Sequence, residues 1–89
     1  MEISYDPAKN AANLAQGRPS FDEVVGFDFD TALVRIDDRR DYGEVRYLAY
    51  GRVGARIHAL VFTMRGDVLH VISFRKANKR EVKHYENGR

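Results

Sequence analysis

Apolar and polar positions change period twice along this chain. Ile3-Ser4-Tyr5 is a short strand candidate. Asp6 then reads as a helix N-cap with Pro7 at the first helical position, followed by the Ala-rich run Ala8 to Gln16. Gly17 stops that helix and Pro19 prevents its resumption. Ser20 and Glu23 have the spacing of a capping box, which predicts a second short helix burying Phe21, Val24 and Val25. From Ala32 the alternation becomes that of strands, predicted over Ala32 to Ile36, Glu44 to Arg52, Arg56 to Met64 and Val68 to Arg75. Gly54 lies in one tight connection and Arg65-Gly66-Asp67 forms another.

Ala59-Leu60-Val61-Phe62 is apolar without alternation, so its strand is expected at the centre of the sheet, covered on both faces. A last, basic helix follows, whose thin apolar stripe of Val82 and Tyr85 places it at the rim. The order β-α-α-β-β-β-β-α predicts an α+β fold. An antiparallel sheet of three long strands plus one or two short ones carries two N-terminal helices and a C-terminal basic helix.

Eighty-nine residues allow a single domain, 1–89, with one core. The absence of cysteine excludes disulfides and thiolate metal sites and suits a reducing cytoplasm. No apolar run has the length of a membrane span, and His58, His70 and His84 lack a metal-ligand spacing. Net charge is only +2, but five basic side chains face ten acidic ones in residues 1–44, and ten face three in residues 45–89. That asymmetry suggests one surface open to polyanions.

The ordered blocks then become informative together. Tyr5-Asp6 with Lys9 and Asn13, Ser20-Phe21-Asp22-Glu23, and Gly43-Glu44 with Arg46 come first. Thr63 with Arg65-Gly66 follows, then Ile72-Ser73 with Arg75, Ala77, Glu81 and Tyr85. In order and spacing they resemble the BrnT toxins of type II toxin–antitoxin modules, which are similar in fold to the RelE-like endoribonucleases. The resemblance implies an endoribonuclease that needs no metal or other cofactor, cuts RNA by 2′-hydroxyl attack and inhibits translation and growth. It also implies a BrnA-type antitoxin as protein partner, a homodimer within that complex, and contact with DNA only through the antitoxin. One block departs: relatives carry Lys-His-Gly where this chain reads Ala15-Gln16-Gly17. The alternative is therefore a weakened binding module, an antitoxin partner and co-repressor or an RNA-binding domain. Nothing reads as a helix-turn-helix.

Metal-free cleavage needs a base for the 2′-hydroxyl, positive charge at the phosphate and an acid for the leaving oxygen. Arg65 and Arg75 are candidates for the transition-state clamp, brought to one end of the sheet by hairpin register; the plain alternative is two exposed strand-end arginines. Lys9, Glu44 and Lys76 all stand as possible bases. Glu44 and Arg46 would share a strand face, as a structural ion pair or as proton-transfer and RNA-binding groups. Lys76, Lys79, Arg80 and Lys83 fall on one side of the last helix, a stripe for RNA phosphates or a solvated face. Tyr85 is a base-stacking candidate or a tyrosine packed on the sheet. Asp28, Asp30, Asp37 and Asp38 lack a calcium-loop spacing and read as solvated carboxylates.

Overall fold

The computed structural model describes residues 1–88. These form β1 (Glu2–Tyr5), α1 (Pro7–Ala15), a 3₁₀ helix (Phe21–Gly26), β2 (Leu33–Ile36), β3 (Tyr47–Val53), β4 (Arg56–Arg65), β5 (Val68–Lys76) and α2 (Lys79–Asn87). Asp6 caps α1 as its sequence position requires, its side chain accepting from the Ala8 amide at 2.9 Å. Gly54 and Gly66, both at φ 61°, make the two tight turns of the β3-β4-β5 meander.

The strands form one sheet in the order β1-β5-β4-β3-β2, so β4 is central as expected. Strands β2 to β5 pair antiparallel, but β1 lies parallel to β5, and the sheet is mixed rather than antiparallel. Alternation identifies β1 as a strand and is silent on its direction; its partner β5 lies beyond α1, the 3₁₀ helix and β2 to β4, a connection long enough for parallel pairing. Beyond Val71 the outer edge of β5 passes from β1 to α1, where buried Asn13 donates to the Phe74 carbonyl at 2.8 Å and to that of Pro19 at 2.9 Å.

The expected second helix is a 3₁₀ turn. Ser20 accepts from the Asp22 amide at 3.2 Å rather than from Glu23, so the capping box does not form there. Three residues per turn align Phe21, Val24 and Phe27 toward the sheet, and Val25 swings out to 63% exposure. These side chains pack with Ala49, Leu60, Phe62, Leu69, Val71 and Phe74 as the main core. Val71 and Phe74, three apart, reach the same face because a β-bulge pairs Val61 with Ser73 and Phe62 with Val71, leaving Ile72 as the extra residue.

The opposite face carries α2. There Glu81 bonds Arg75, the His84 ring meets Tyr50 edge-on at 5.9 Å, and Leu48, Ile57 and Ala59 are buried. Tyr85 is 1% exposed and, among the described residues, is the one buried residue of α2. The helix therefore packs on the sheet through a single ring and otherwise stays at the surface, as its thin stripe predicts. One large ring at the sheet-facing position anchors a nine-residue helix, and its hydroxyl donates to Thr31 Oγ1 at 3.4 Å.

Candidate nucleic-acid interface

Alternation along the strands turns Arg35, Leu48, Tyr50, Ala59, Val61, Ser73 and Arg75 toward the face that carries α2. Together with the β2–β3 loop and Glu81 they enclose a cleft of about 320 Å³. Four guanidinium groups (Arg35, Arg39, Arg46 and Arg75) line it against two carboxylates, Asp37 and Glu81. The lining is therefore net cationic, with Tyr42 and Tyr50 as its aromatic walls.

Arg75 projects from the end of β5 and places both ends of its fork on Glu81, at 2.7 and 2.9 Å. Glu81 is held in turn by α2's own capping box, with Asn78 and Glu81 bonding each other's amides at 2.8 and 2.9 Å. The Arg75 guanidinium holds the Glu81 carboxyl at about 2, against its ordinary 4.5. A carboxylate depressed in the folded state adds stability that is fully present above pH 4.5 and is lost as pH falls toward 2. The Glu81→Gln variant should thus be less stable than wild type at pH 6. It should also lose less on acidification, read as a smaller fall in urea midpoint between pH 5 and 2.5.

The opposite rim is organised by Asp37, whose side chain is 1% exposed. It accepts from Arg39 Nε and Nη2, both at 2.7 Å, and from the Tyr42 hydroxyl at 3.3 Å. The Arg39 fork first, with Tyr42 assisting, lowers the Asp37 carboxyl to about 2. Asp37 is thus a buried, paired anion and not the solvated loop carboxylate expected. Its amide closes the loop on the Arg46 carbonyl at 2.7 Å. Asp28, likewise, is used locally, accepting from the Asp30 amide at 3.0 Å and Thr31 Oγ1 at 2.8 Å.

Arg46 lies over the Tyr42 ring, 4.1 Å from its centroid, and its Nε meets Glu44 at 3.3 Å. Glu44 also approaches Arg65 at 3.9 Å. Both Glu44 and Arg46 precede β3, which begins at Tyr47, so they meet in the loop and not as strand neighbours. On the remaining side, Lys9 of α1 lines a groove with Gln16, Ile72 and Ser73, the last two shared with the cleft.

Arg65 and Arg75 do not converge. Arg65 pairs with Val68 beside the turn, whereas Arg75 pairs with Ala59, six residues along β4, roughly 20 Å away at strand rise. A hairpin brings together residues equidistant from its turn, and Arg75 is far out on one arm. The basic stripe of the last helix loses Lys76. Lys76 ends β5, ahead of the N-cap Asn78, and lines a separate groove with His58, Arg18 and Arg56. Lys79 and Lys83 line an outer groove with Val82 and Glu86, and Arg80 is exposed beside them. Buried Tyr85 cannot stack on a base.

The histidines are structural or peripheral in their contacts. His58 is 3% exposed and stacks on Phe74 at 4.9 Å. His70 shares a 2.8 Å hydrogen bond with Ser4, and burial, then Arg65, lowers its pKa. Among the described residues no group of His, Asp and Glu side chains is arranged to hold a metal ion.

Arg35, Arg39, Tyr42 and Tyr50 were not legible as site residues. Alternation in Ala32 to Ile36 sets Arg35 apart from Val34 and Ile36, and Tyr42 is the aromatic in an otherwise charged loop; those were the available signals. A family model described as the ribonuclease toxin BrnT of type II toxin–antitoxin systems matches residues 5–81. No curated protein matches the chain.

Proposed function

The chain belongs to the BrnT family of ribonuclease toxins of type II toxin–antitoxin systems, and from there we propose that it cuts single-stranded RNA in the cationic cleft without a metal ion. The observation that carries this reading is the excess of guanidinium over carboxylate in the cleft beside the Glu44–Arg46 pair.

Glu44 takes the proton of a ribose 2′-hydroxyl, and O2′ attacks the adjacent phosphorus. Arg46 has no hydrogen bond on its Nη groups among the described residues, so its fork is open to the phosphate. Arg65, on the far side of Glu44, adds positive charge. Arg75, saturated by Glu81, contributes field and holds α2 in place. As the P–O5′ bond breaks, Lys9 on the α1 rim protonates the leaving oxygen. The products are a 2′,3′-cyclic phosphate and a 5′-hydroxyl. Lys76, Lys79, Arg80 and Lys83 stay outside the reaction and draw RNA toward the basic half.

Within the same proposal, a BrnA-type antitoxin covers the basic face, a toxin homodimer forms the core of the complex in the cytoplasm, and DNA is met only through the antitoxin. One observation favours a second reading, a binding module with little activity. Gln16 lines the groove beside Lys9 at the place where relatives carry a basic pair.

The test is cleavage of single-stranded RNA in EDTA by antitoxin-free protein, beside Arg46→Ala. Cyclic-phosphate ends, formed roughly a hundredfold more slowly by the variant, support the enzyme. Intact RNA from folded protein that still binds its antitoxin supports the binding module.

A further inference from the structure

The β2–β3 loop is built more firmly than a connection needs. Asp37 is its hub, satisfied by the Arg39 fork and by the Tyr42 hydroxyl. The hydroxyl bond orients the Tyr42 ring, and Arg46 stacks on that ring at 4.1 Å, with Arg40 farther out at 6.0 Å. Ring and guanidinium both line the cleft. The neighbouring guanidinium on the same sheet face, Arg35, is exposed and in no ion pair among the described residues.

Of the loop's forks, that of Arg39 is consumed by Asp37, while Arg46 keeps its Nη edge open among the described residues and sets its guanidinium over the Tyr42 ring. The loop thus offers a ring and a cation together beside a phosphate ligand. Flat, π-faced partners suit a nucleobase, since unpaired bases stack on aromatic rings and guanidinium planes alike. We propose that Tyr42 and Arg46 form a stacking subsite for one unpaired RNA base next to the scissile phosphate, with Arg35 taking the adjoining phosphate. Arg46 fixes the position, because it also holds Glu44. The proposal rests on the RNA-cleaving reading and adds to it the place where a base is gripped.

The test uses a 2′-O-methyl RNA oligonucleotide carrying 2-aminopurine, which cannot be cut, so binding is read apart from cleavage. Wild-type protein should quench the fluorophore on binding. Tyr42→Ala should bind roughly five- to a hundredfold more weakly with the quench lost, while Tyr42→Phe keeps both. Circular dichroism confirms that each variant is folded. Wild-type affinity and quench in folded Tyr42→Ala overturn the subsite, as does a Tyr42→Phe variant as weak as Tyr42→Ala, which would make the hydroxyl and not the ring responsible. Absence of oligonucleotide binding by wild type also overturns it. Cleavage of unmodified RNA, measured in parallel, shows whether the ribonuclease reading falls with it.

Discussion

Replacing Glu44 with glutamine is expected to slow RNA cleavage by about two to three orders of magnitude, with RNA affinity unchanged or tighter. The amide keeps the shape of the side chain and its contact with Arg46 Nε, 3.3 Å away in the native protein. It cannot take a proton from the 2′-hydroxyl. It also removes a negative charge lying 3.9 Å from Arg65, which favours phosphate binding on that side. Single-turnover cleavage separates the two effects from each other, with affinity taken from an uncleavable 2′-O-methyl RNA. A variant that cuts at the wild-type rate would overturn Glu44 as the base.

The second large effect falls on stability. Tyr85→Ala removes a ring that is 1% exposed and should cost about 3–5 kcal/mol, against total stabilities of roughly 5–15 kcal/mol. At about 4–8 °C per kcal/mol for a chain of this size, the melting temperature should fall by more than 10 °C. Tyr85→Phe, which fills the same volume, should cost far less. Thermal and urea unfolding of both variants decide the matter. A Tyr85→Ala protein within 0.5 kcal/mol of wild type would mean that α2 contributes little to the folded state.

The strands were legible in the sequence because alternation is a property of each element alone. The β4 segment Ala59-Leu60-Val61-Phe62 announced its central place by having no polar face, and the sheet order bears that out. Relations between elements were not written in any one of them. The direction of β1 and the separation of Arg65 from Arg75 depend on register and on what packs opposite. The short helix went astray at its period: Phe21, Val24 and Val25 fit 3.6 residues per turn, while the chain adopts three. The family resemblance drew attention to Glu44 and Arg46. Their partners Asp37, Arg39 and Tyr42 lie in a charged loop whose composition reads as solvent-facing, and only the burial of Asp37 shows otherwise.

The extra residue in β5 makes that strand a reading frame. Upstream of Ile72 one parity of positions belongs to the core; downstream the parity is exchanged, so Phe74 is inside and Arg75 in the cleft. Deleting one residue there would trade a cation for a phenyl ring in both compartments at once. The β2–β3 loop has no such frame: its shape is set by Asp37 with Arg39 and Tyr42, and by the Val45 carbonyl accepting from Thr63 Oγ1 of β4 at 2.6 Å. A change in the length of this loop would therefore move the Tyr42–Arg46 pair and leave the core alone, whereas a change in the length of β5 would reach the core directly.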